Sequence, residues 1–237
     1  MNSVDLLVFG PHPDDIEIGL GGTIAKHAAE GRVVGLCDLT AGEMGTNGTV
    51  EDRLQEAQAA RVVLGAAWRE NLRWPDRRIG KDPGHLEQAV AFIRHHQPRT
   101  IAVPYWSDRH PDHVAASEVL SEATFNAGLA RYRSEGEAWK ADWICYYFIN
   151  HAASPSFVVD VSNEYDRKRK ALDCHSTQFQ RTGPEIRDTR LNSPLFRQLI
   201  ESRDAQFGAL VGVRWAEGFV VRETLTRGGL LKTGIRD

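Results

Sequence analysis

Hydrophobic positions along this chain follow two periods. "DLLVFG" (5–10) is a short apolar run that stops at Gly-Pro, the pattern of a strand buried on both faces. "RVVGLCDLT" (32–40) and "RTIAVP" (99–104) repeat it, and "NLRW" (71–74) is a shorter strand candidate. Helical segments lie between them. "GGTIAKHAAEG" (21–31) and "EDRLQEAQAARVVLG" (51–65) each close on a C-capping Gly, "GHLEQAVAFIRHHQP" (84–98) ends before Pro98, and "PDHVAASEVLSEATFNAG" (111–128) follows the strand at 99–104. Strands alternating with helices predict right-handed crossovers, hence an α/β, Rossmann-like fold with a mostly parallel sheet and helices on both faces.

The pattern changes after about residue 140. "DWICYYFIN" (142–150) and "SFVVDVS" (156–162) are strand-like with no helix between them. A charged helix is expected over 163–174, another over 193–208, and "VRWAEGFVVRE" (213–223) reads as a closing strand. These C-terminal strands and helices are expected to extend the sheet or wall a site, and the last residues to be loose. No linker, repeat or low-complexity stretch divides the 237 residues, so a single domain over 1–237 is expected.

Composition narrows the setting. A net charge of −3, with signs mixed along the chain, gives no reason to expect a nucleic-acid partner. Cys37, Cys145 and Cys174 are widely spaced and form no C-x-x-C, which argues against a disulfide framework or a thiolate zinc site. No basic n-region precedes an apolar stretch at the N-terminus, and no apolar run reaches membrane-spanning length. A cytoplasmic protein without a membrane partner is the expectation.

Chemistry concentrates where the first strand ends, in "FGPHPDDIEIGLGGT" (9–23). A dinucleotide-binding turn would place G-x-G-x-x-G directly after that strand. Here Gly19-Leu20-Gly21 begins nine residues after Gly10, and Ile24 occupies the place of the third glycine; only Asp38, at the end of the second strand, favours a nucleotide. Close packing of a helix against the sheet is the plainer role for Gly21 and Gly22. His12, Asp14 and Asp15 could be a turn residue and helix caps, or could hold a metal.

A second motif favours the metal. "YWSDRHPDH" (105–113) leaves another predicted parallel strand, and its His110-Pro-Asp112-His113 nearly repeats His12-Pro-Asp14-Asp15. Ligand sites of open α/β sheets lie outside the carboxyl ends of the strands, so the two segments can meet there. Imidazole and carboxylate without thiolate suit a catalytic divalent metal, most simply Zn2+. Asp14 and Asp15 are adjacent and point differently, so one can bind the ion while the other acts as a base.

"HPDD", "GGT", "LTAGEMGTNGT" and "HPDH", in that order, resemble the LmbE-like (PIG-L) family of zinc-dependent N-acetylglucosamine deacetylases. The longer stretches "RLQEAQAARVVLG", "PYWSDRHPDH", "PSFVVDVS" and "WAEGF" look most like its bacillithiol-biosynthesis subgroup, which removes acetate from N-acetylglucosaminyl malate. The resemblance implies one Zn2+ per chain on His12, Asp15 and His113, with Asp14 as general base. It implies that His110 stabilises charge or protonates the leaving amine, and that Asp112 orients His110 or caps a helix. It assigns Glu17 to structure, and it implies a small-molecule N-acetylglucosaminide partner and a homo-oligomer, in this subgroup often a hexamer.

The chain departs from the subgroup at Ser176-Thr177-Gln178-Phe179, where Ser-Gln-Phe is usual, and at Pro75-Asp76-Arg77-Arg78, which replaces an Asp-Gly turn. Neither departure is expected to touch the metal set. A malyl group carries two carboxylates, which guanidinium forks bind well. Arg53 is therefore the expected malate clamp, with Arg109 either a second clamp or a brace for the metal loop. Gly42, Gly45 and Gly48 would let their loop approach a sugar or move as a lid. Two other functions stay open: an amidase on another N-acyl sugar or thiol conjugate, and a noncatalytic nucleotide- or sugar-binding module.

Overall fold

The computed structural model describes residues 4–180 and 186–225. Seven strands form one sheet: β1 (Leu6–Gly10), β2 (Val34–Thr40), β3 (Trp68–Trp74), β4 (Thr100–Pro104), β5 (Trp143–Tyr147), β6 (Phe157–Asp160) and β7 (Ala216–Val220), in the order β3-β2-β1-β4-β5-β7-β6. The first five run parallel, and β7 is antiparallel to both of its neighbours. Every residue of β1 and β2 is buried, as their unbroken apolar runs require. Successive side chains of β1 feed opposite cores. Leu6 and Val8 pack under α1 (Asp15–Ala29), α2 (Val50–Leu64) and α5 (Tyr165–Cys174), with α6 (Ser176–Phe179) and α7 (Pro194–Val211) at their margin. Leu7 and Phe9 pack under α3 (Pro83–His96) and α4 (Pro111–Ala127).

The chain steps outward from β1 to β2 and β3, then returns to β4 beside β1 and continues the other way. The point of reversal therefore lies between β1 and β4, whose registers match Leu6 to Thr100 and Val8 to Ala102. Both His-Pro-Asp motifs leave the carboxyl ends of these two strands.

Three elements differ from expectation. α1 begins at Asp15 rather than Gly21, and it breaks at Leu20, where φ is −144°. Its second half restarts on a distant cap: Glu217 of β7 accepts from the backbone N–H groups of Gly22 (2.9 Å) and Thr23 (2.6 Å). Local sequence has no signal for a cap 195 residues away. Glu217 is itself held by buried Lys168, whose Nζ donates to Glu217 (2.6 Å) and Asp204 (2.7 Å). β3 starts at Trp68, three residues early, because charged Arg69 is buried there and hides the strand pattern. The short α6 falls in a stretch with no helical period. The closing residues expected to be loose lie, from 226 onward, outside the described residues.

The dinucleotide reading has no support in the packing. A side chain on Gly22 would meet Val161 at 2.8 Å, and Gly19 lies against the ring of Tyr147, so these glycines serve close packing. Asp38 is committed to Arg69, which donates to its two oxygens at 2.7 and 2.8 Å. Arg69 also donates to Glu17 at 2.5 Å, and all three side chains are buried. Glu17 thus sits beneath the motif as a structural ion partner, in keeping with its expected role.

This buried cluster generates a stability prediction. Burial opposes ionisation of Glu17, but Arg69 and then His175 outweigh it and hold the carboxyl down at about 2. A depressed folded-state pKa stabilises the protein above the ordinary value of 4.5, and that contribution is lost as pH falls from there toward about 2. Arg69→Met should lower the unfolding free energy at neutral pH by about 3–5 kcal/mol, because it strands two buried carboxylates. Urea titrations at pH 7 and across the acid limb check both the loss and the sign.

Candidate active site

The first motif is shaped by one unusual residue. Asp14 precedes α1 at φ 140°, a conformation that L-residues rarely adopt, and its side chain makes no cap hydrogen bond. Asp15, the first helical residue, turns its carboxylate back instead. Its Oδ2 accepts from the backbone N–H of His12 at 3.0 Å and lies 2.9 Å from His12 Nδ1. The same oxygen lies 3.2 Å from Nε2 of His113, on the first turn of α4. One carboxylate oxygen therefore joins the two motifs.

The opposite nitrogen of each histidine also faces carboxylate. His12 Nε2 is 3.4 Å from Asp112 and 3.3 Å from Asp76, and His113 Nδ1 is 3.1 Å from Asp108. Burial works against charge on both rings. The carboxylates nevertheless raise His12 well above the usual histidine value and His113 to about 9. A cavity that attracts positive charge this strongly suits a cation. Histidines whose outer nitrogens are buttressed by carboxylates are oriented as metal-ligating histidines are. The nitrogens of His12, His110 and His113 all lie within 4.8 Å of one another. The donor set therefore fits a divalent metal.

His110 is the N-cap of α4: its Nδ1 accepts the backbone N–H of Asp112 at 3.2 Å. That bond leaves the proton of the neutral ring on Nε2. Burial, followed by the charges of His12 and His113, presses its pKa down to about 4, so the ring is neutral at pH 7. For Asp14, burial comes first and raises the pKa to about 6, with Arg53 opposing and Asp15 adding to the rise.

Two expected roles change. Arg53 does not reach out as a clamp. It is buried, and its guanidinium donates to Asp14 Oδ2 (3.2 Å), to the Pro13 carbonyl (2.9 Å) and to the Gly42 carbonyl (3.0 Å). Gly42, at φ 67°, has room only for hydrogen where this guanidinium packs. Arg109, the alternative brace, is exposed on the cleft wall and makes no described ion pair. Asp112 meets the His110 ring through its backbone N–H, while its carboxylate faces His12 and accepts from Arg77 N (2.9 Å) and Nη1 (3.1 Å).

The Pro75–Arg78 turn, expected to leave the metal set alone, touches it. Asp76 faces His12, accepts from Met44 N at 3.1 Å and donates its own N–H to Glu43 at 2.6 Å, tying the Gly-rich loop to the histidine. Arg77 holds φ 65°, in the left-handed region that favours glycine, and its bonds to Asp112 support that conformation. In the other departure, Thr177 donates to Glu56 (2.7 Å), while Gln178 donates to the Asn47 carbonyl (2.7 Å) and lines the cleft.

Sequence reasoning also missed Asp108, Asn150 and Arg203. Asp108 lies inside the quoted second motif, and its place two residues before His110 was its only signal. Asn150, just beyond β5, donates to Asp108 from its backbone N–H (2.9 Å) and side chain (3.0 Å). Arg203 of α7 sets that loop by donating to the carbonyls of Phe148 (2.9 Å), Ile149 (3.0 Å) and Ile18 (2.7 Å). The resulting cleft, about 260 Å³, has His12, Asp14, Asp15, His110 and His113 as polar lining and Ile18, Ile149, Leu191 and Phe196 as apolar lining.

An open α/β sheet with clustered His and Asp side chains and a further buried carboxylate at its switch point is an arrangement suited to a metal-dependent hydrolase. Comparison with known proteins narrows this. The family model for PIG-L, the GlcNAc-PI de-N-acetylases, matches residues 7–124. A conserved protein of Thermus thermophilus superposes with a TM-score of 0.87 at 35% identity, covering 96% of this chain and 99% of that one. The diacetylchitobiose deacetylase of Thermococcus kodakarensis is 29% identical over 90% of this chain and 81% of its own. The 1D-myo-inositol 2-acetamido-2-deoxy-alpha-D-glucopyranoside deacetylase of Rhodococcus opacus is 27% identical over 92% and 96%. The chain belongs to the PIG-L family of de-N-acetylases, which hydrolyse an amide bond.

The paired buttresses give a direct test. Asp108→Asn should weaken divalent-metal affinity about 10–100-fold, the usual effect of losing such a partner. His113→Ala should remove most of the bound metal. Competition with a chromophoric chelator and elemental analysis of the purified variants measure both.

Proposed function

We propose that the protein is a zinc-dependent deacetylase of an N-acetylglucosaminide, with N-acetylglucosaminyl malate as substrate and glucosaminyl malate plus acetate as products. The observation that carries the chemistry is Asp14: a buried carboxylate, free of any cap bond, beside the cluster of His12, Asp15 and His113. The malyl aglycone rests on the subgroup resemblance of "PYWSDRHPDH", "PSFVVDVS" and "WAEGF". Relatives named for deacetylating diacetylchitobiose and an inositol glycoside support the sugar portion.

His12, Asp15 and His113 would hold the zinc. When bound, the ion supplies positive charge that polarises the acetamide carbonyl and makes water more acidic. Asp14, with its pKa near 6, is ionised at neutral pH and basic enough to take a proton from the attacking water. Arg53 holds that carboxylate in place from behind. As the carbonyl oxygen gains charge, neutral His110 can donate its Nε2–H to it. Asp14 then returns its proton to the sugar nitrogen as the C–N bond breaks, which releases acetate and the free amine. One carboxylate thus serves both proton transfers, and His110 is assigned to charge stabilisation.

Two substitutions test this division. Asp14→Asn should keep its full metal content while kcat falls about 10²–10⁴-fold, the usual share of a general base. Near-normal turnover would remove Asp14 from the role. Arg53→Ala should depress kcat by the same factor on the malyl glycoside and on free N-acetylglucosamine, because it acts through Asp14. A loss confined to KM for the malyl substrate would restore Arg53 as a clamp.

A further inference from the structure

The cleft divides electrostatically. Its floor is rich in carboxylates: Asp14, Asp15 and Asp76 line it and Asp112 lies just behind. Its cations fall into two kinds. Arg53 and Arg77 are ion-paired with Asp14 and Asp112. Arg109, between β4 and α4, and Arg190, ahead of α7, are different. Both are exposed and both line the cleft, yet among the described residues neither guanidinium has a hydrogen bond or an ion pair.

Arg190 is held in place by packing over the ring of Phe196, 5.2 Å from its centroid. The two cations also sense each other. Arg190 is pushed below the usual arginine value by partial burial and then by the charge of Arg109, with Asp108 opposing. Two like charges that face one cleft without a bonded counter-ion repel each other in the free protein. They are complementary to an anion that brings two negative charges with it, and guanidinium forks suit planar oxygen pairs. A neutral acetamido sugar fits the floor, whose carboxylates repel anions, while an anionic group fits only the rim.

We propose that Arg109 and Arg190 form the subsite that recognises a dianionic aglycone, and that Arg190 takes the place expected of Arg53. This rests on the deacetylase reading and adds to it the residue that sets substrate choice. The shared chemistry is a pair of negative oxygens, carried either by two carboxylates, as in a malyl group, or by a phosphate ester.

The test compares the zinc-loaded protein with Arg190→Gln and Arg190→Lys on three substrates: N-acetylglucosaminyl malate, N-acetylglucosamine 1-phosphate and the neutral methyl N-acetylglucosaminide. The unmodified protein should prefer at least one anionic glycoside, and which one it prefers identifies the source of the charge. Arg190→Gln should raise KM for that glycoside about 10–100-fold more than for the methyl glycoside, the usual effect of one charge-assisted contact. Arg190→Lys should recover part of the loss. Added salt should raise KM for the anionic substrate selectively. Equal effects on charged and neutral substrates, or no anionic preference in the unmodified protein, would overturn the subsite while leaving the deacetylase standing. Failure to turn over any of the three glycosides would overturn the deacetylase reading and the subsite with it.

Discussion

Everything at the cleft depends on one oxygen of Asp15. It lies within 3.2 Å of nitrogens from two histidines whose motifs begin almost a hundred residues apart. That meeting requires β1 and β4 to be neighbours in matched register, and hence the reversal of strand order between them. Both strands are apolar and buried, which holds them side by side in the middle of the sheet. The sheet burial that stabilises the fold is therefore also what brings the donors together.

Around that oxygen, charge is arranged in layers. Below lie Glu17, Asp38 and Arg69; beside it stand Asp14 and Arg53; behind the histidines are Asp76, Asp108 and Asp112. Isolated buried charges would be prohibitive, but here the arginines neutralise the structural carboxylates and leave a cation-seeking centre. The C-terminal half completes the arrangement. Arg203 fixes the loop after β5, Asn150 fixes Asp108, and Asp108 orients His113.

Much of this was legible in the sequence. The strands at 5–10, 32–40 and 99–104 are mainly apolar runs, and the paired His-Pro-Asp motifs marked the side chains that meet at the cleft. The start of α1 was not legible, because its restart is capped from β7 rather than by a neighbour. β3 was cut short because the burial of Arg69 depends on two acids brought in by the fold. The partners of Arg53 were not legible, because sequence places a guanidinium near the cleft without saying which way it points. Asp76 was set aside as a departure from a turn, although its carboxylate faces His12. Local pattern reports period and punctuation; it carries no record of which distant groups meet.

The cap on α1 also ties two remote parts of the chain into one element. His12, Asp14 and Asp15 lie at or just before the start of that element, and Glu217 is 195 residues beyond Gly22. Without Glu217 the amides of Gly22 and Thr23 would lose these acceptors, and the second half of α1 its fixed start. A fragment that retains His12, Asp15 and His113 but not β7 therefore lacks this latch.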